Sequence, residues 1–437
     1  MSTALTPLWV SEIELADSPP RIVADRPLAG GGDGGCYQRA RILIRLQGEP
    51  LGVMSVALTR GEAPVEAVVA EACEQFAPAI ERRLGTDWRR KISGSLPLLS
   101  PELAAVVDDP DLPGVTVVVG TRNRPEHALN CVARVLKQTY PGPVEVIVVD
   151  NGASSDATGT AIATEFGDDQ RVRYIHETRP GLSRARNIGL AAASHPITAF
   201  LSDDIVVDSL WLAAVVRAFR RAPDVRCVVG YCPPMYLDTE AQLVFEKAMA
   251  WGWRNGFEAR LVGPHLAGDR LYPYRTGIGV GANMSFDTAW FRSSGGFDET
   301  LGPGTIARGG EDLDAPIRVL LDGGQCVYEP AAIGWHADRY DDRGFGTHMY
   351  TYGVGLTAFL ASHLADRRTR WQVIRRAPFG ARHLLTPDAL PDSIARLDDV
   401  PMRFRYAAAN MAGRFAGPIL WVRSRRALRG RQGAGSG

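Results

Sequence analysis

The sequence predicts an α/β protein built on a mostly parallel sheet with helices on both faces. Three observations carry this. Short continuous Val/Ile runs recur from Val115 onward (VTVVVG at 115–120, VEVIVV at 144–149, then 172–176 and 197–201). Runs of this kind mark strands buried on both faces. Each is separated from the next by a stretch of helical periodicity, such as 127–138. Finally, 45% of the 437 residues are hydrophobic and 22% charged, enough apolar surface for a sizeable core and too much for wholesale disorder.

Taken in order, residues 1–112 read as a small α+β accessory domain. LWVSEIEL at 8–15 alternates as a strand does, and 40–46 and 51–58 bracket a Gly48-Glu49-Pro50 turn, the pattern of a hairpin. A glycine-rich loop at 30–35 precedes it. Val65, Val68, Val69, Ala72, Phe76 and Ile80 then recur at helical spacing, with Pro64 suited to the first turn. The Ser/Pro/Asp-rich stretch 93–114 reads as a linker. This unit offers no nucleophile, metal cluster or phosphate loop. Residues 113–345 form the expected catalytic domain, and 346–437 a helical, basic C-terminal region.

Charge and cysteine usage bound the classes further. The 49 basic and 49 acidic residues balance, so a wholly basic nucleic-acid binder is excluded. Six cysteines without CxxC spacing read as free thiols in a reducing compartment. The N-terminus shows no secretory signal, and no apolar run of spanning length occurs, so the expected location is the cytoplasm. From Pro401 onward there are eight Arg and no acid. Basic residues mixed with Phe404, Tyr406, Phe415 and Trp421 suit either a helix packed on the catalytic domain or, over 401–431, a peripheral contact with anionic lipid at the inner face of the membrane.

In open α/β sheets ligands bind at the carboxyl ends of the strands, and the polar residues lie there. Thr121-Arg122-Asn123-Arg124-Pro125 follows the first run, and Asp150-Asn151-Gly152 the second, where a carboxylate suits a ribose hydroxyl or base N–H. The first loop is no GxGxxG, which argues against a dinucleotide oxidoreductase; Gly277-Ile278-Gly279-Val280-Gly281 is a distant mimic. Arg179-Pro180-Gly181, with Arg184, Arg186 and Asn187, sets cations and a helix start where phosphates could lie. Asp203-Asp204 ends an apolar strand, and a divalent cation is the usual relief for adjacent carboxylates. Glu311-Asp312 opens a helical pattern; Asp312 is a candidate general base whose pKa Glu311 would raise by like charge. His336, in Trp335-His336-Ala337-Asp338, could complete a Mn2+ shell.

These segments, in this order, resemble a family 2 inverting glycosyltransferase with the GT-A fold, over roughly residues 115–340. The motifs that carry the resemblance are TRNRP, VVDNGASSD, RPGLSRARNIGL, FLSDD, GANMSF, GGFDETLGPGT, GGEDLD and WH. It implies metal-assisted transfer of a sugar from a UDP-, dTDP- or GDP-sugar to a hydroxyl acceptor, as in a hexosyltransferase, with Mn2+ or Mg2+ as cofactor. Carried over, Thr121 and Asp150 contact the nucleoside, and Arg179 and Arg186 line the nucleotide pocket. Arg122, Asn123 and Asn187 join that donor site. Asp203 lies by the ribose, and Asp204 and His336 hold the metal. Asp312 is the catalytic base, with Glu311 and Asn283 on the acceptor side. Where many members have three consecutive Asp, this chain has Ser202-Asp203-Asp204. The 1–112 unit matches no part of the family pattern. The processive QxxRW signature is absent, since Arg370-Trp371 has no Gln at the required place. A nucleotidyltransferase of similar fold, or a non-catalytic carbohydrate- or partner-binding protein, are the competing readings.

Overall fold

The structure, a computed structural model, describes residues 6–23, 37–58, 64–249, 256–263, 281–337, 342–385 and 404–434. The glycine-rich loop at 30–35, Cys36, residues 277–280 and Asp338 lie outside the described residues.

The N-terminal unit is a four-stranded sheet, β1 (Leu8–Glu14), β2 (Ile22–Val23), β3 (Arg39–Leu46) and β4 (Glu49–Ala57), ordered β2-β1-β3-β4. The expected hairpin forms, but its turn lies one step earlier, at Gln47-Gly48. Both residues have positive φ (55° and 80°), the backbone whose twist matches a two-residue hairpin. Glu49 and Pro50 already belong to β4, an edge strand, where a proline's missing donor is tolerated. One sheet face packs Ile13, Ile42 and Ile44 on α1 (Val65–Gln75), α2 (Ala77–Leu84) and α3 (Trp88–Ile92). The other face sends Leu8, Leu43 and Val53 against Tyr231, Leu237 and Val244 of the larger domain. The expected linker is a structural bridge instead. Ser100 caps α4 (Pro101–Val107) through the Leu103 N–H, and Leu103 and Val106 enter the same core as Val117 and Trp211. Its apolar spacing outweighs its Ser/Pro/Asp composition.

The larger domain alternates β5 (Val115–Thr121), α5 (Pro125–Leu136), β6 (Val144–Asn151), α6 (Ala157–Phe166), β7 (Val172–Glu177), α7 (Leu182–Ala192) and β8 (Ile197–Ser202). There follow β9 (Ile205–Val207), α8 (Trp211–Phe219), β10 (Val225–Tyr231), α9 (Glu240–Met249), β11 (Arg260–Val262) and β12 (Asn283–Asp287). α10 (Thr288–Ser293), α11 (Glu311–Leu321) and β13 (Gln325–His336) complete it. The sheet runs β11-β13-β10-β12-β8-β5-β6-β7, with β9 paired to the end of β13. β5, β6, β7 and β8 are mutually parallel, as are β10 and β13, and β12 is antiparallel between β8 and β10. Val117 and Val148 face α5 and α8 on one side; Val118 and Ile147 face α7, α10 and α11 on the other. Burial on both faces is what the continuous Val runs require.

Among the described residues three helices follow: α12 (Asp342–Ala365), α13 (Arg370–Leu385) and α14 (Phe404–Ala434). α12 and α14 lie in backbone contact. A Cβ at Gly353 would overlap the Asn410 carbonyl, and one at Gly413 would overlap that of Tyr350. α12 also meets the larger domain, where His363 Nε2 lies 2.8 Å from Asp314 Oδ1 of α11.

Candidate active site

Register alone gathers the site. Thr121 at the end of β5 lies opposite Asp150 of β6, and Gly120 lies opposite Ser202 of β8. Because β12 runs the other way, its beginning meets the end of β8: Asn283 pairs with Leu201, and the Ser202 N–H donates to Ala282 O at 3.3 Å. β13 brings His336 opposite Ile205, just past the acid pair. Finally α11 starts against Gly281, where a Cβ would overlap the Asp312 side chain. Asp150, Asp204, His336 and Asp312, spread over 187 positions, therefore share one edge of one sheet.

On the β6 side, Asp150 is fully buried and its Oδ1 accepts from the Asn123 N–H at 3.3 Å. From that buried position it props the Arg122-Asn123 turn, and its Oδ2 has no hydrogen-bond partner. Asn123 has φ 53°, a backbone asparagine tolerates, and its Oδ1 accepts from the Ser154 N–H at 3.0 Å. Arg122 Nε donates to Gly152 O at 3.1 Å. Asn151 ties the layers together: its Nδ2 donates to Thr121 O at 2.8 Å and its Oδ1 accepts from the Gly181 N–H at 3.0 Å. Burial, with the Asp150 charge second, pushes the neighbouring Tyr174 hydroxyl up to about 12. Arg179 is half exposed and pairs with Glu177 at 3.4 Å.

At the end of β8, Thr121 Oγ1 donates to Asp203 Oδ2 at 2.7 Å. Arg124 Nη1 lies 3.2 Å from Asp203 Oδ1 and 3.6 Å from Asp204 Oδ2. Burial, and then the Asp204 charge, raises the Asp203 carboxyl above the usual range. Asp204 Oδ1 is buried without a hydrogen-bond partner and lies 3.7 Å from His336 Nε2. That separation is too long for a hydrogen bond and within the span of two ligands on one cation. Among the described residues no group of three or more His, Cys, Asp or Glu side chains is arranged to hold a metal. Two side chains alone do not fill the shell of a hard cation, so one held there would draw its remaining ligands from water or a bound anion.

The second acid pair opens α11 behind Gly310, whose φ of 97° favours glycine. Glu311 is buried and accepts from Arg186 Nη1 at 3.2 Å, while Arg186 Nη2 donates to Gly281 O at 2.7 Å. Asp312 is half-buried. Burial first, then the Asp312 charge, pushes Glu311 up to about 7 against the pull of Arg186. Burial likewise raises Asp312, with Arg186 opposing. The like-charge effect thus falls on Glu311, second to desolvation, and not on Asp312 as expected, where burial is what raises the carboxyl.

Three residues expected at the site are engaged with the protein itself. Arg186, expected in the nucleotide pocket, is 1% exposed and serves as counter-ion to Glu311. Asn187 is expected at the donor site, and its amide accepts from the Phe297 N–H at 2.7 Å and donates to Phe297 O at 2.9 Å, fixing the Gly295-Gly296 bend. Asn283, expected to meet an acceptor, is a core residue that accepts from Trp211 Nε1 and donates to Ala332 O, both at 2.9 Å. Residues not singled out from sequence also matter. Arg124 and Asn151 stood inside motifs already noted, whereas the Asp314–His363 contact crosses 49 positions and left no local trace.

Residues 116–293 match the family model for Glycosyl transferase family 2. The chain carries a family 2 glycosyltransferase domain, and its architecture is that of the GT-A fold class. Glycosyltransferase GlyG of Streptococcus pneumoniae is 38% identical over 98 residues, covering 22% of this chain and 32% of that protein. The pre-mycofactocin glycosyltransferase of Mycobacterium tuberculosis is 27% identical over 304 residues, covering 67% of this chain and 58% of its own length. The chain thus spans less than two thirds of either relative. Among solved structures, the mannosyltransferase PcManGT from Pyrobaculum calidifontis in complex with GDP-Man and Mn2+ aligns with 81% of this chain and 97% of its own, at 19% identity and a TM-score of 0.45. No helix among the described residues is long and apolar enough to cross a membrane.

Proposed function

We propose that this protein transfers a sugar from a nucleotide-diphosphate sugar to a hydroxyl acceptor by a single, inverting displacement. The observation that carries the reading is the meeting of two differently held acid pairs, Asp203-Asp204 and Glu311-Asp312, at one carboxyl edge of a family 2 domain. Asp204 and His336 would hold Mn2+ or Mg2+, which supplies charge neutralisation for the departing diphosphate. Arg122 and Arg179 lie on the Asp150 side of the edge, where a nucleotide's phosphates would find cations. The base is proposed to rest on the Asn123 turn that Asp150 props. Asp312, half-buried at the helix start, takes the proton of the attacking hydroxyl as Glu311 stays behind it on Arg186.

The test is a panel of UDP-, dTDP- and GDP-sugars scored by thermal shift with Mn2+ or Mg2+, followed by transfer assays. The reading expects one donor class to raise the melting temperature only with metal, and EDTA to abolish transfer. Full transfer in EDTA would overturn the metal assignment. Pyrophosphate release from a nucleoside triphosphate would replace sugar transfer with nucleotidyl transfer.

A further inference from the structure

α14 carries two apolar stripes on opposite sides. Tyr406, Gly413, Gly417, Trp421 and Ser424 recur at helical spacing and are buried. This stripe packs on α12 and on the Thr300 loop, where Trp421 Nε1 donates to Thr300 Oγ1 at 3.1 Å and Ser424 Oγ to Thr300 O at 2.7 Å. Met411, Phe415, Ile419 and Val422 lie at i, i+4, i+8 and i+11, about half a turn away from the first stripe. They are solvent-exposed, Phe415 by 77% and Ile419 by 60%. A helix that is apolar on both sides is ordinarily covered on both. Beyond the outer stripe come Arg423, Arg426 and Arg429, all exposed, and the sequence from 401 to the end holds no acid to pair them.

We propose that the outer face of α14 lies on an anionic phospholipid surface. The charge pattern selects that occupant: an apolar strip of Phe, Ile, Met and Val continues into a cluster of unopposed guanidinium groups, which matches acyl chains edged by phosphate headgroups. A second copy packed in parallel on this face would juxtapose the same arginines and repel. The helix lies along the bilayer, since no helix among the described residues can cross one. Through the Thr300 loop, which leads into Gly302 beside Glu311 and Ser183, the same helix is joined to the acceptor side of the proposed active site. The membrane contact does not depend on sugar transfer being the activity.

Flotation of the full chain with vesicles of equal parts phosphatidylglycerol and phosphatidylcholine tests the proposal, with pure phosphatidylcholine as control. The expected result is binding to the anionic vesicles alone. High salt, or replacement of Arg423, Arg426 and Arg429 by Gln, should weaken it by about a hundredfold. The F415D/I419D variant should lose about tenfold or more in vesicle affinity. Because both side chains are exposed, its melting temperature should stay that of the parent. Absence of binding to anionic vesicles at low salt would overturn the proposal. So would binding indifferent to F415D/I419D, or a dimer in vesicle-free solution that this variant splits into monomers.

Discussion

Asp203-Asp204 and Glu311-Asp312 are both adjacent carboxylates at the same sheet edge, and they differ in what neutralises them. The first pair faces Arg124, a side chain 49% exposed on a loop, and leaves Asp204 Oδ1 without a hydrogen bond. The second is held by Arg186, 1% exposed and anchored to the Gly281 carbonyl. An exposed cation held by screened contacts can be exchanged at little cost. A buried one cannot leave without stranding a charge. The difference teaches how one motif type serves two ends: the open pair suits an exchangeable metal and diphosphate, and the closed pair suits a fixed carboxylate with a raised pKa.

The largest expected effect breaks the comparison at its proton acceptor. Asp312→Asn keeps size and hydrogen bonding but removes the base, and transfer should fall by about a thousandfold or more in a single-turnover assay. A rate within tenfold of the parent would take the role from Asp312. Next, Arg186→Met should lower unfolding free energy by about 3–5 kcal/mol in urea titrations, because Glu311 is left buried and uncompensated. If the loss matched that of a surface variant, the closed pair would not be closed.

A smaller effect concerns pH. Both members of the second pair are raised by burial, Glu311 up to about 7 and Asp312 above its ordinary value, so the pair gives up its protons at higher pH than free carboxyls do. The base works only when ionised, and the rate should therefore rise with pH as the raised Asp312 carboxyl loses its proton. Glu311→Gln removes the like charge and frees Arg186 to favour ionised Asp312, so the acid limb should move to lower pH. A limb that moves up, or not at all, contradicts the coupling. Smallest of all, Arg124→Ala should change stability by less than about 1 kcal/mol. It should tighten Mn2+ binding in the absence of donor, since a competing cation is gone; weaker Mn2+ binding would show that Arg124 does not compete for the site.

What could be read in the sequence followed from adjacency and periodicity. Val117 and Val148 announced a sheet buried on both sides, and the acid pairs stood at strand and helix ends where ligands bind. Partnership across the chain could not be read. Arg186 lies 125 positions from Glu311, and nothing in RPGLSRARN distinguishes an arginine that turns inward from one that faces a phosphate. Asn283 shows the same gap: its backbone lies at the functional edge, but the alternation of β12 sends its side chain into the core against Trp211. The hairpin turn moved to Gln47-Gly48 because backbone twist, not the pull of Pro50, set its geometry.

The central claim, that the open pair holds the metal and the closed pair holds the proton, is tested most directly by calorimetry of donor binding with and without Mn2+ in the parent, Asp204→Asn and Asp312→Asn. Donor binding should require Mn2+ in the parent and in Asp312→Asn, and Asp204→Asn should lose the Mn2+-dependent part. Unchanged Mn2+ dependence in Asp204→Asn, or its loss in Asp312→Asn, would contradict the account.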